Sequence, residues 1–181
     1  MGAEDISALA RTIRRRRLRA ETRGGYGRLL IRIAVIAAAG WVLFTRIFLV
    51  GQAAGTDMFP AVKDGDLMIG FRLQNQFQQD DVVVYEAGGR LRTGRIIGIE
   101  SDVITMDENG TLTVNGTVQG GEILFPTYPR SGEEESYTVS KGCVYILGDY
   151  RTQAEDSRDF GSIPLEDVKA KVITILRRRV L

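Results

Sequence analysis

The sequence predicts a mostly β domain outside a membrane, preceded by one N-terminal transmembrane helix. Three observations predict it. An arginine-dense lead runs into an apolar stretch at residues 29–50, the chain after Gly51 is a succession of short apolar segments, and Gly, Asp and Asn separate those segments.

At 181 residues and 44% hydrophobic content, the chain can bury one modest core and still carry appendages. A net charge of +1 conceals an asymmetry, because Arg11, Arg14, Arg15, Arg16, Arg17, Arg19, Arg23 and Arg28 all precede the apolar stretch. Charge gathered at one end argues for membrane topology rather than for a nucleic-acid face. Arg14-Arg15-Arg16-Arg17 also fits a nucleic-acid or nuclear-targeting cluster, but its position favours topology. With no histidine and the single cysteine Cys143, an intramolecular disulfide, a His-based triad and a His- or thiolate-built metal centre are excluded. No cofactor, metal or small-molecule ligand is expected.

Residues 1–28 form the cytoplasmic lead, in which a helix at 6–19 can meet anionic headgroups. Residues 29–50 read LLIRIAVIAAAGWVLFTRIFLV, long enough as a helix to cross about 30 Å of hydrocarbon. Arg32 and Arg46 sit near its ends, where long side chains snorkel. A buried amphipathic helix and a cleaved signal peptide, with Gln52-Ala53-Ala54-Gly55 as a weak cleavage candidate, are the alternatives. The excess of positive charge before residue 29 places that end in the cytoplasm and residues 51–181 on the extracellular side of a plasma membrane.

Strands are expected at 66–71, 82–85, 91–93, 95–99, 103–106, 111–114, 144–147 and 172–175. Glu108-Asn109-Gly110-Thr111 is a hairpin turn, since Asn and Gly accept the positive φ of a tight reversal. Residues 120–140, with Pro126, Pro129 and Glu133-Glu134-Glu135, read as loop, the acids as a solvated face. One helical turn is expected at 164–168, and the basic close at 176–181 as a solvated tail.

Several short motifs stand in a telling order: Asp57-Met58-Phe59-Pro60, Lys63-Asp64-Gly65-Asp66, Asp80-Asp81-Val82-Val83-Val84-Tyr85, Gly94-Arg95-Ile96-Ile97-Gly98, Gly148-Asp149-Tyr150-Arg151 and Asp156-Ser157-Arg158. In order and spacing they resemble the motif boxes of the type I signal peptidases, membrane-anchored Ser/Lys enzymes of peptidase family S26. The resemblance implies an antiparallel β fold with a shallow peptide groove, and it places the nucleophilic serine at Asp57, the base lysine at Gly94 and the serine that orients the lysine at Ala154. Such chemistry needs a hydroxyl and a neutral amine, which these three residues do not supply. The chain is therefore expected not to be an enzyme. Its groove is expected at Asp57, Met58, Phe59, Pro60, Gly94 and Arg95, while Gly148, Asp149, Arg151, Asp156, Ser157 and Arg158 hold the scaffold. An aspartic dyad of Asp57 with Asp149 or Asp156 is disfavoured, because the resemblance gives both partners structural roles.

Signal-peptidase-like proteins with Asp and Gly at those two positions are associated with sortase-built pili of Gram-positive bacteria. The resemblance thus implies a chaperone-like factor in pilus assembly that binds a pilin or the pilus sortase through the former groove. The alternative is a divergent membrane peptidase that processes a narrow set of exported proteins. No nucleic-acid partner is expected.

Overall fold

The computed structural model describes residues 3–120, 124–130 and 135–177. Glu133 and Glu134 of the acidic run and residues 178–181 of the basic close lie outside the described residues, as do Met1 and Gly2.

One unit is the helix α1, Ala3–Ile47. Its segment Gly25–Ile47 is, among the described residues, the one helix long and apolar enough to cross a membrane. Ile36 and Trp41 are 71% and 72% exposed, an arrangement that water penalises and hydrocarbon does not. The helix ends earlier than the apolar stretch. Phe48–Gln52 form a strand, β1, so the expected helix end at Val50 is corrected to Ile47. The same apolar letters serve both structures here, because Phe48, Leu49 and Val50 find ladder partners in Phe71, Gly70 and Ile69.

The second unit is β. The remaining strands are β2 (Leu67–Phe71), β3 (Val82–Ala87), β4 (Arg90–Gly98), β5 (Val103–Met106), β6 (Leu112–Val114), β7 (Thr117–Val118), β8 (Glu135–Thr138), β9 (Cys143–Leu147), β10 (Ile163–Pro164) and β11 (Val168–Leu176). They build a seven-stranded sheet ordered β1-β2-β11-β3-β4-β9-β10 and a four-stranded sheet ordered β7-β6-β5-β8, with every pairing antiparallel. The mostly β, antiparallel architecture behind one apolar helix is therefore as the sequence predicts.

Differences are local. The segments at 91–93 and 95–99 are one continuous strand, β4, because Gly94 pairs with Val83 rather than breaking the ladder. β8 lies within the stretch expected as loop, and it pairs with β5 through alternating side chains that sequence alone does not separate from a turn. The Asn109-Gly110 reversal joins β5 to β6, with Gly110 at φ 83. The turn expected at 164–168 is a 3-10 turn, Leu165–Asp167.

A run such as Cys143-Val144-Tyr145-Ile146-Leu147 is apolar throughout because β9 is buried on both faces. Val144 and Ile146 join Val83, Tyr85 and Ile96 in one core cluster, while Tyr145 and Leu147 join Ile97, Ile104 and Met106 in another under the small sheet. A third cluster, of Ala53, Met58, Val62, Met68 and Val84, lies beneath the segment that carries Asp57. Burial of a side chain such as Ile104 or Ile146 contributes roughly 1.5–3 kcal/mol.

Candidate functional site

Asp57 is presented by a tied-down turn. Ala53 N–H donates to the Asp66 carbonyl at 2.8 Å, Gly65 N–H donates to the Ala53 carbonyl at 2.9 Å, and Gly55 N–H donates to Asp64 Oδ1 at 2.9 Å. Phe59 N–H reaches the Thr56 carbonyl and Val62 N–H the Met58 carbonyl, which closes the turn over Met58 and Val62, both almost fully buried. From the other side, Tyr150 N–H donates to the Asp57 carbonyl at 2.9 Å. That approach explains Gly148, since a Cβ there would lie 2.6 Å from the Asp57 carbonyl oxygen and would also run into Ala154.

The Asp57 side chain lines a depression of about 10 Å³ together with Ala54, Gly55 and Thr93. Burial raises its carboxyl pKa above the ordinary 3.8, opposed by the Arg92 guanidinium and reinforced by Glu155 and Asp156. Arg92 itself bonds Glu155 at 2.6 Å and lies over the Phe160 ring, 4.8 Å from its centroid. Sequence reasoning missed Arg92, Thr93 and Glu155. They are far from Asp57 in the chain and carry no motif.

Alongside lies an open strand edge. β4 pairs with β3 along residues 90–95, but β9 meets β4 only from Arg95 onward, so residues 90–93 have no strand partner among the described residues on the side away from β3. Extended backbone there has free hydrogen-bonding groups, the requirement for adding a further strand. Gly94 ends this edge. A Cβ at Gly94 would collide with Ile146 and come within 3.1 Å of the Tyr85 ring and 3.2 Å of the Leu147 carbonyl. Tyr85 is itself buried, which pushes its phenol pKa up.

The six residues expected to share a groove do not share one. Asp57 and the largely buried Met58 line the depression, Gly94 is buried and does not line it, and Phe59 stacks against Tyr150 with 6.1 Å between centroids. Pro60 and Arg95 line a separate cleft of about 750 Å³. The larger space is not the one that holds Asp57.

The residues expected as scaffold form one buried network. Arg95 holds Asp149 with two bonds of 2.8 Å, which raises the guanidinium pKa mainly through the hydrogen bond to Asp149. Arg158 holds Asp156 likewise, at 2.9 and 2.8 Å, and that pair is almost entirely out of solvent. Asp156 also caps the short helix α2, Ser157–Phe160, in a capping box with Asp159. Ser157 Oγ accepts from Ile146 N–H at 2.9 Å, and Asp156 Oδ2 accepts from Gly148 N–H at 3.1 Å. Arg151, 1% exposed, donates to the Gly148 carbonyl, Thr127 and Gln119; burial pulls its pKa down to about 10 against the attraction of Asp149 and Asp156. Because Asp149 and Asp156 are each committed to an arginine, neither is free to share a proton with Asp57. Among the described residues no cluster of His, Cys, Asp and Glu has the make-up of a metal site.

A family model described as signal peptidase, peptidase S26, matches residues 27–176. The chain is 28% identical over 134 residues to thylakoidal processing peptidase 1, chloroplastic, of Arabidopsis thaliana, a match that covers 65% of this chain and 38% of that protein. It is 27% identical over 168 residues to signal peptidase I of Bacillus caldolyticus, covering 84% of this chain and 90% of that one. A crystal structure of a signal peptidase I from Enterococcus faecalis V583 is similar at TM-score 0.46 and 22% identity, covering 55% of this chain and 98% of that chain. The match thus spans about two fifths of the Arabidopsis relative's length. These findings correct the expectation of a protein that is not an enzyme. The proteins it resembles are named as peptidases, and the balance leans toward a peptidase. The residues at Asp57, Gly94 and Ala154 were too narrow a basis for the opposite view, because the similarity to peptidases extends over residues 27–176.

Proposed function

The chain belongs to the signal peptidase, peptidase S26, family, and from that premise we propose that it acts on exported polypeptides during the assembly of sortase-built pili, taking an extended segment of a pilin or of the sortase beside Asp57. In this reading residues 1–28 lie in the cytoplasm, the apolar helix anchors the chain in a plasma membrane, and the β domain works on the outer side. Asp57 and Gly94 stand where the family carries its nucleophile and base.

The observation that carries the reading is the open edge of β4 at residues 90–93, set beside the pinned turn of Asp57. Strand addition at such an edge takes its affinity from main-chain hydrogen bonds, and specificity comes from the side chains that alternate along it. A depression of about 10 Å³ floored by Ala54, Gly55 and Thr93 admits only a small client side chain.

The names of the relatives favour a second reading, in which the bound segment is also cut and the substrates are a narrow set of exported proteins. Asp57 is then the group at the site able to accept a proton from water, and burial raises its carboxyl pKa above the ordinary value.

One experiment addresses both. The full chain in detergent micelles is mixed with overlapping peptides from exported pilins, and binding and cleavage are read together for the native protein and for Asp57→Asn. A gene deletion that leaves pilin polymerisation on the cell wall unchanged, with no pilin peptide bound, would refute the pilus reading. Cleavage abolished by Asp57→Asn establishes the second reading, and cleavage that survives the change removes Asp57 from it.

A further inference from the structure

The cleft of about 750 Å³ is separate from the Asp57 depression and is not used by the reading above. Its walls are the turn at 60–63, the face of β4 at Arg95 and Ile97, and the β6–β7 hairpin with the residues that follow it.

Charge in the cleft is unevenly spent. Arg95 and Asp149 neutralise one another through their paired bonds. Lys63 and Arg177 also line the cleft, and among the described residues neither has a carboxylate within ion-pair distance. Arg177 makes only a long bond of 3.4 Å to the Ala61 carbonyl. Against these two cations, Asp80 is the one remaining carboxylate among the described residues of the lining, whose balance is positive.

The same lining also offers backbone. β7 is the edge strand of the small sheet, paired through Thr117 and Val118 with β6 on one side alone. Gly120 follows, with open space among the described residues where a Cβ would stand. An unpaired edge in a cleft recognises extended polypeptide, and two cations on the same lining without carboxylate partners select a carboxylate.

We propose that this cleft is a second binding site, which takes an extended polypeptide segment bearing an acidic side chain, its backbone laid along β7 and its carboxylate held by Lys63 and Arg177. The site stands independently of any event at Asp57.

The test is fluorescence anisotropy on the full chain in neutral detergent, with a labelled hexapeptide that alternates Glu with Val and a counterpart in which Gln replaces each Glu. The Glu peptide should bind at least about tenfold more tightly than the Gln peptide, and raised salt should narrow the gap. Lys63→Glu with Arg177→Glu should remove that preference, the milder Lys63→Met with Arg177→Met should reduce it, and Asp57→Asn should leave it unchanged. Equal affinity for the two peptides, no binding of either, or undiminished binding by the charge-reversed protein overturns the proposal. Loss of the preference in Asp57→Asn also overturns it, since the peptide would then occupy the Asp57 site. Binding of short-chain phosphatidylglycerol without binding of the Glu peptide would assign the cleft to lipid headgroups instead.

Discussion

Tyr150 N–H donates to the carbonyl of Asp57 at 2.9 Å, and this bond joins the turn that presents Asp57 to the loop that follows β9. The loop is held in turn by buried arginine–aspartate pairs, so the position of the Asp57 carboxyl depends on residues far along the chain.

Gly94 has no room for a side chain. Gly94→Ala should destabilise the protein by about 1–3 kcal/mol, because the new Cβ is driven against Ile146 and Tyr85. Gly94→Lys should cost more. Denaturant unfolding of the detergent-solubilised chain measures both, and an unchanged midpoint for Gly94→Ala would show that the core gives way freely.

The Asp156–Arg158 pair is almost fully buried, so removal of one partner strands the other charge. Arg158→Met should destabilise by about 3–5 kcal/mol, with Asp156 left to cap α2 alone. The same assay checks it, and a loss below about 1 kcal/mol would mean that the carboxylate is rehydrated.

Arg151 spans three partners that a lysine cannot reach together. Arg151→Lys should cost about 1–3 kcal/mol despite the retained charge, because a single ammonium replaces a fork that reaches Gln119, Thr127 and the Gly148 carbonyl. Equal unfolding midpoints for native and Arg151→Lys would contradict this.

Stability should carry a pH signature from Asp57. Its folded pKa lies above the ordinary 3.8, mainly through burial, so the native state holds the proton more tightly than the unfolded chain. The associated stability is complete below 3.8 and is lost as pH rises through the folded value. Asp57→Asn removes that dependence, and the stability of the native protein relative to this variant should fall as pH rises from the ordinary 3.8 through the folded value. Asp102 and Asp159 work in the opposite sense: burial would raise them, but hydrogen bonds outweigh it and hold both low. Only the difference against Asp57→Asn isolates the one group. Parallel melting curves across this range would exclude a raised pKa.

Much of the architecture was legible in the residues. Alternating apolar segments and Asn109-Gly110 gave β5 and β6, and the arginine-dense lead before an apolar stretch gave the anchor. The end of the helix at Ile47 was not legible, because Phe48-Leu49-Val50 is as apolar as what precedes it and becomes a strand only when β2 supplies a partner. β8 and α2 escaped for a similar reason: each is short, and each depends on contacts with β5 or on the Asp156 cap.

For the site, the sequence by itself determined which motifs exist and in what order, hence the family and the motif that contains Asp57. Tertiary structure decided the rest. That Arg92 and Glu155 lie near enough to act on the Asp57 carboxyl, that β4 keeps a free edge at residues 90–93, and that Pro60 and Arg95 face a different cleft all follow from strand register. The pairing of β4 with β9 joins segments far apart in the chain, and no short motif encodes where it begins.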